Sequence, residues 1–130
     1  MKILIIEDEK ALAEVLRLQF EELNYNVEVV MDGAKAVGKA REFHPDIILL
    51  DLLLPHKGGF EILEGLKGDA KLKNIPVIIS SSLDQDEDIK KGLRLGAIDY
   101  FVKSQHPIKE LVEKVRLHTL KNTEPKKKKK

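Results

Sequence analysis

The segment IILLDLLLPHKGG, which runs from Ile47 to Gly59, is the most informative part of the sequence about the fold. Its first four residues are aliphatic without polar alternation, and such a run is typical of a strand that is covered on both faces, as in a parallel sheet. The run ends at Asp51, and Pro55 and two glycines follow before residue 60. The sequence therefore predicts a buried strand that delivers one carboxylate to a loop at the edge of a sheet.

Similar apolar runs lie on both sides of this strand, and longer segments with helical periodicity separate them. The other runs are Ile3 to Ile6, Val27 to Val30, Val77 to Ile79 and Ile98 to Val102. Two apolar helical stripes are formed by Leu12, Val15, Leu16, Phe20 and Leu23, and by Ile108, Leu111, Val112 and Val115. Five strands alternating with five helices predict an α/β fold, a (βα)5 doubly wound parallel sheet with right-handed crossovers.

Two helix starts can be predicted from capping residues. Asp32 before Gly33 predicts the N-cap of a helix that continues to about Phe43. Asp84 and Glu87 have the spacing of a capping box, and basic residues follow them in the order that a helix dipole favours. We therefore expect a further helix to start at Asp84.

Length and composition indicate one cysteine-free domain. A chain of 130 residues is long enough to bury a single core. Since it contains no cysteine, neither a disulfide nor a thiolate metal site is available. The sequence shows no signal peptide and no apolar run long enough to cross a bilayer. We therefore expect a soluble cytoplasmic protein without a membrane partner.

The charge is distributed unevenly along the chain. The formal net charge is +1, but Lys126 to Lys130 contribute +5, which leaves −4 on the rest. A mildly acidic body argues against direct nucleic-acid binding by the folded domain. Five adjacent like charges repel one another and have nothing to pack, so we expect a domain over residues 1–121 and a disordered lysine-rich tail over 122–130. Polyanion binding by this tail is the alternative.

Polar side chains follow four of the predicted strands. Ligands of doubly wound sheets gather at the carboxyl ends of the strands, where the strand order reverses. The residues at these ends are Glu7, Asp8, Asp51, Ser80, Ser81, Ser82 and Lys103. We expect the three carboxylates, the hydroxyls and the ammonium group to converge there.

The carboxylates predict a magnesium site. Crowded like charges cost stability unless a cation neutralises them, and an all-oxygen ligand set suits Mg²⁺. Asp8 and Asp51 are the expected direct ligands, and Glu7 is expected to act through water. Lys103 supplies a mobile charge suited to a phosphoryl oxygen. Asp51 can then attack phosphorus, because carboxylates form aspartyl-phosphates when a metal absorbs the developing charge.

Four motifs together resemble the response regulator receiver domain of two-component signalling. They are IIEDE with the acidic pair, LLDLLLPHKGG with the phospho-acceptor loop, PVIISSS with the switch strand and GAIDYFVK with an aromatic residue and a lysine. The resemblance extends from Met1 to about Lys121. It implies a flavodoxin-like fold with strand order 2-1-3-4-5.

The resemblance also implies a role for individual residues. Asp51 would accept a phosphoryl group from a partner histidine kinase or histidine phosphotransfer protein, with Mg²⁺ held by Asp8, Asp51 and the backbone carbonyl of Leu53. Ser81 matches the switch hydroxyl, Tyr100 the aromatic residue that changes rotamer, and Lys103 the phosphate-binding lysine.

The resemblance implies a regulatory switch that is not an enzyme acting on other molecules. A phosphoryl group adds charge and acceptor oxygens, which would attract Ser81 and Lys103 and make room for Tyr100 to turn inward. The population would shift towards a state with an altered surface on the fourth helix, fifth strand and fifth helix. A downstream protein target would bind that surface. We expect a stand-alone monomer or weak homodimer.

The sequence departs from the family pattern at several positions. Glu7 stands where the family more often has Asp. Ser104 replaces a proline that usually follows a cis bond, and a cis bond before another residue costs about 3–4 kcal/mol. Either this bond is strained or the loop after Lys103 takes a different path. Leu53 and Leu83 cannot orient a water molecule, so we expect slow hydrolysis of the acyl phosphate.

Other functions remain as alternatives. A receiver-like interaction module would not respond to phosphorylation. An aspartyl-phosphate phosphohydrolase needs a second acid two residues after its nucleophile, where this chain has Leu53. A flavin-binding or structural module would need a hydroxyl-rich phosphate loop after the first strand, where this chain has acids. We interpret the four histidines as surface or loop residues, Asp46 and Asp99 as ordinary strand-edge acids, and Ser80 and Ser82 as partners of backbone groups.

Overall fold

The structure, a computed structural model, describes residues 1–123 as five strands and five helices, as predicted. The strands are β1 (Lys2–Ile6), β2 (Asn26–Val30), β3 (Ile47–Leu50), β4 (Val77–Ser81) and β5 (Asp99–Val102). The helices are α1 (Lys10–Glu22), α2 (Ala36–Phe43), α3 (Gly59–Lys67), α4 (Asp86–Arg94) and α5 (Ile108–Thr123). The expected tail from residue 122 overlaps the end of α5 by two residues, and its remainder lies outside the described residues.

The five strands form one parallel sheet in the order β2-β1-β3-β4-β5. This confirms the predicted α/β flavodoxin-like fold and its strand order. The chain adds β2 on one side of β1 and β3 on the other, so the order reverses between β1 and β3. In doubly wound sheets, ligands bind outside the carboxyl ends of the strands on either side of such a reversal. None of the described helices is both long enough and apolar enough to cross a membrane.

The strand β3 explains why its sequence lacks polar alternation. All four of its residues are buried. Ile48 and Leu50 pack in the core cluster that includes residues of α2 and α3, whereas Ile47 and Leu49 pack in the cluster that includes residues of α1 and α5. Both faces of the central strand are therefore covered, which is what the unbroken apolar run predicts.

The predicted stripe on α1 is only partly correct. Leu16 and Phe20 are buried in the core, but Val15 and Leu23 are each 42% exposed. Val15 is rotated by about 100° from Leu16 around the helix axis, so it leaves the buried face. Leu23 follows the last helical residue, Glu22, and no longer obeys the helical period.

One of the two predicted helix caps is correct. The Asp32 carboxylate accepts a hydrogen bond of 2.9 Å from a backbone N–H at the start of the short 3₁₀ turn that leads into α2. The capping box of Asp84 and Glu87 is wrong, because α4 begins at Asp86 and Gln85 occupies the N-cap without a side-chain hydrogen bond. The acids of its first turn still complement the positive end of the helix dipole.

Candidate functional site

The carboxyl ends of β1 and β3 bring the predicted acids together. Ile6 pairs with Leu50 in the sheet, so Glu7 and Asp51 leave neighbouring strands at the same level. The backbone N–H of Asp51 extends this pairing by donating to the carbonyl of Ile6 at 2.9 Å. Carboxylate oxygens of Glu7, Asp8 and Asp51 all lie within 4.8 Å of one another.

Lys103 lies against two of these three acids. Its Nζ is 2.8 Å from Oε1 of Glu7 and 3.3 Å from Oδ2 of Asp51. Glu7 is 2% exposed and Asp51 is 5% exposed, whereas Asp8 is exposed to solvent. Residues 1–123 contain no cis peptide bond, so the bond between Lys103 and Ser104 is trans. The lysine reaches the acids along this path without the cis bond.

Burial and neighbouring charges both shift the pKa values of Glu7 and Lys103. Burial raises the pKa of the Glu7 carboxyl, and the nearby Asp51 charge raises it further, against the opposing hydrogen bond from Lys103. Burial alone would lower the pKa of the Lys103 ammonium, but its contacts with Glu7 and Asp51 outweigh burial and raise it. One ammonium cannot neutralise three crowded carboxylates, so the site retains an excess of negative charge.

The free acceptor capacity of the acids fits a hard divalent cation. Both oxygens of Glu7 already accept hydrogen bonds, from Lys103 and from the backbone N–H of Glu9 at 3.1 Å. The Asp8 carboxylate, in contrast, accepts no hydrogen bond from the described part of the chain. Oxygen ligands from one or two carboxylates and a backbone carbonyl, together with water, are the set that Mg²⁺ prefers. The residues present therefore fit that ion.

The loop after Asp51 packs closely against the start of α3. The backbone N–H of Gly59 donates to the carbonyl of Leu52 at 2.9 Å. A Cβ atom on Gly59 would lie 2.4 Å from Cα of Leu52 and 2.6 Å from the carbonyl oxygen of Asp51. The N–H of Leu53 donates to Oδ1 of Asp51 at 3.2 Å. The glycine therefore permits the approach that keeps the Leu53 backbone beside the carboxylate.

A second contact holding this loop was missed in the sequence. Nδ1 of His56 lies 3.0 Å from Oδ1 of Asp32, in the turn after β2, and His56 has a positive φ of 70°. A Cβ atom on Gly33 would lie 2.2 Å from the carbonyl oxygen of Lys57. The hydrogen bond from the backbone N–H of Ala34, and then the contact with His56, lower the pKa of the Asp32 carboxyl. The Asp-Gly pair was the available signal, but it indicated a cap and not this contact.

The two serines at the end of β4 differ in their hydrogen bonding. Both lie within β4, not after it as predicted, and both are buried. The Ser81 Oγ accepts a hydrogen bond of 3.2 Å from the N–H of Leu83. The Ser80 Oγ has no hydrogen-bond partner within residues 1–123, so the prediction that it serves a backbone group is wrong.

Tyr100 is linked to Ser81 through a single residue. The Tyr100 hydroxyl donates to the carbonyl of Leu83 at 2.7 Å, and the N–H of Leu83 donates to Ser81. The ring lies close to α4, since a Cβ atom on Gly92 would be 3.3 Å from Cδ2 of Tyr100. Burial, followed by the charge of Asp88, raises the pKa of Tyr100 to about 12. Any movement of Leu83 therefore affects both side chains.

Asp99 is more than the ordinary strand-edge acid that we expected. Its Oδ2 lies 3.0 Å from Nζ of Lys114 and 3.2 Å from Nε2 of His118, both on α5. Burial would raise the pKa of the Asp99 carboxyl, but hydrogen bonds from Lys114, the Tyr100 backbone and His118 outweigh burial and lower it. These contacts fix α5 against β5 beside Tyr100.

Comparisons with known proteins agree on one family. The family model described as the response regulator receiver domain matches residues 3–116. The DNA-binding dual master transcriptional regulator RpaA of Synechocystis is 35% identical over 115 residues, which are 88% of this chain and 47% of RpaA. The chain thus spans about half the length of the curated relatives it matches.

Two solved response regulator structures are similar to this chain. The phosphorylated cyanobacterial phytochrome response regulator RcpA has a TM-score of 0.76 and 34% identity, covering 88% of this chain and 87% of RcpA. The Mn²⁺-bound form of response regulator Rcp1 has a TM-score of 0.73 and 30% identity, covering 88% of each chain.

Proposed function

The chain belongs to the response regulator receiver domain family, and we propose that it is a phosphorylation-dependent switch in which Asp51 accepts the phosphoryl group. One observation carries the proposal: oxygens of Glu7, Asp8 and Asp51 lie within 4.8 Å of one another, and Lys103 contacts two of these acids. Acids crowded against one ammonium can bind a divalent cation and a phosphoryl group together.

Phosphoryl transfer needs a nucleophile and compensation of charge. A carboxylate oxygen of Asp51 forms a bond to phosphorus while the bond from phosphorus to the histidine nitrogen of the donor breaks. Lys103 stabilises the phosphoryl oxygens as a point charge. Asp8, Asp51 and the backbone carbonyl of Leu53 would hold Mg²⁺, which would supply positive charge beside the transferring group. Glu7 holds Lys103 through its hydrogen bond and would act on the metal through water.

The switch acts through Leu83. A phosphoryl group on Asp51 attracts the Ser81 hydroxyl, which then leaves the N–H of Leu83. The carbonyl of the same residue accepts the Tyr100 hydroxyl bond, so the loop before α4 and the Tyr100 side chain shift together. The result is a change in population between two states of the surface formed by α4, β5 and α5.

The partners follow from this mechanism. A histidine kinase or histidine phosphotransfer protein supplies the phosphoryl group in the cytoplasm, and a downstream protein target binds the surface of α4, β5 and α5. The receiver domain itself binds no nucleic acid and acts as a monomer or weak homodimer. It assists its own phosphorylation and slow dephosphorylation without being an enzyme for other substrates.

Labelling with a small phosphodonor tests the proposal. With Mg²⁺ and acetyl phosphate, the protein should gain the mass of one phosphoryl group, and peptide mapping should locate it on Asp51. A chelator in excess of Mg²⁺ should prevent most of the labelling, because the acids then lack their counter-ion. Equal labelling with the chelator, or a label mapped elsewhere, would contradict the proposal. Absence of labelling would instead favour an interaction module that is not regulated by phosphorylation.

The phosphorylated protein should lose its phosphate slowly. Leu53 is 51% exposed and Leu83 follows the switch strand, and neither side chain can hydrogen-bond an attacking water. After removal of the donor, we expect the phosphate to persist for minutes or longer. The Leu53→Asn variant, which can orient a water, should lose it several-fold faster. A lifetime of seconds for the wild-type protein would refute this expectation.

A further inference from the structure

Ser80 carries a buried hydroxyl that takes no part in the hydrogen bonds linking Ser81, Leu83 and Tyr100. It is 1% exposed, and its Oγ lacks any hydrogen-bond partner in the described part of the chain. A buried polar atom without a partner is costly, and it is rare enough in folded proteins to require an explanation. Its neighbour Ser81 is equally buried but bonded to Leu83. The unpaired hydroxyl is therefore specific to Ser80.

The sheet register places Ser80 beside Asp51. Leu50 pairs with Ile79, so Asp51 and Ser80, the next residues of the two strands, lie opposite each other. On its other side Ser80 pairs with Phe101 of β5. Paired residues of parallel strands point to the same face of the sheet. Ser80 thus lies between Asp51 and β5 on that face.

The Lys103 side chain crosses β4, the strand that contains Ser80. Lys103 follows Phe101 by two residues, so its side chain begins on the face of the sheet that Ser80 shares. The Nζ atom contacts Asp51, which follows β3, and Glu7, which follows β1. Because β4 lies between β5 and β3, the lysine side chain passes over β4 near its carboxyl end. An ammonium group has three donors, and these two contacts use two of them.

We propose that Ser80 is a positioning residue for Lys103: its Oγ accepts a hydrogen bond from the Lys103 ammonium when that group turns from Glu7 to a phosphoryl group on Asp51. The inference rests on the proposed function. Glu7 follows β1, which lies farther from β5 than β3, the strand before Asp51. When the Lys103 ammonium turns towards a phosphoryl group on Asp51, it therefore moves away from Glu7. Ser80 offers a buried acceptor on the strand that the lysine crosses.

This arrangement biases the switch. Without a phosphoryl group the Ser80 hydroxyl lacks a partner within residues 1–123, and in the phosphorylated state it gains one. It therefore favours the phosphorylated state over the unphosphorylated state. A hydroxyl that merely fills space would affect the two states equally. Removing the Ser80 hydroxyl should therefore leave the protein folded and lower its affinity for a phosphoryl analogue.

Beryllofluoride with Mg²⁺ is a probe for this difference, because it mimics a phosphoryl group on a carboxylate without turnover. Its affinity can be measured by thermal shift on the full chain for Ser80→Ala, Ser80→Val and Ser80→Thr. Val and Thr have nearly the same shape, and only Thr keeps the hydroxyl. We expect Ser80→Ala and Ser80→Val to bind about ten-fold more weakly, equivalent to ~1.4 kcal/mol. Ser80→Thr should stay within about two-fold of the wild type.

A double-mutant cycle tests whether Ser80 acts through Lys103. In a Lys103→Ala background, Ser80→Ala should cause no further loss of beryllofluoride affinity, since the donor is already absent. Independent losses in the double variant would overturn the assignment to Lys103. Equal affinity of Ser80→Val, Ser80→Thr and the wild type would overturn the inference altogether. If the wild-type protein neither binds beryllofluoride nor labels on Asp51, the proposed function itself fails.

Discussion

The Asp51→Asn variant should accept no phosphoryl group from acetyl phosphate, while it folds as stably as the wild type. The amide that replaces the carboxylate cannot form an acyl phosphate, because it is not a nucleophile at oxygen under these conditions. The substitution also removes one of three crowded negative charges, which relieves repulsion with Glu7 and offsets the weakened contact with Lys103. We expect the free energy of unfolding to change by less than about 1 kcal/mol.

An acid at the opposite end of the strands, before the amino end of β3, provides the control. Asp46 precedes β3, and its Oδ2 accepts a hydrogen bond of 2.7 Å from the backbone N–H of Lys2. The Asp46→Asn variant should be labelled as fully as the wild type, because this carboxylate lies outside the cluster of acids. Intact mass after incubation with Mg²⁺ and acetyl phosphate measures both variants. Labelling of Asp51→Asn to the wild-type extent would remove Asp51 from its proposed role.

The Gly59→Ala variant should be destabilised by about 1–3 kcal/mol, the usual cost of inserting a methyl group into a filled space. The new Cβ would lie 2.4 Å from Cα of Leu52 and 2.6 Å from the carbonyl oxygen of Asp51, and neither backbone atom can turn away as a side chain can. The loop must move, and with it the Leu53 backbone that bonds to Asp51. We therefore expect weaker Mg²⁺ binding as well as lower stability.

The adjacent glycine is an internal control for this prediction. A Cβ atom on Gly58 would meet no atom within 4 Å, and its φ of −71° is allowed for alanine. Gly58→Ala should cost less than about 1 kcal/mol, mainly because alanine is a poorer N-cap than glycine. Urea unfolding measures both variants, and Mg²⁺ titration compares their affinities. Equal stability of the two variants would show that the loop does not need the close approach at Gly59.

Local sequence patterns are enough to predict the order of strands and helices and the polar residues that come at the strand ends. Ile47 to Leu50 predicts a doubly covered strand because every residue of it is apolar, and β3 is buried on both faces. Once the strands are parallel, their carboxyl ends share one edge, so Glu7, Asp51 and Lys103 had to converge there. Hydrophobic periodicity within a segment predicts each strand or helix, and the chain direction of parallel strands then predicts which residues lie at their carboxyl ends.

The hydrogen-bond partners of individual polar groups are established by tertiary contacts and could not be predicted from the sequence. Leu83 accepts the Tyr100 hydroxyl and donates to Ser81, while Ser80, an identical residue one position earlier, has no partner among the residues described. Asp99 pairs with α5 across a distance in sequence that no spacing rule covers. Hydrogen bonds depend on distances of a few tenths of an ångström and on angle. Packing between segments that are distant in sequence sets those distances, so they cannot be predicted from the amino-acid order within one segment.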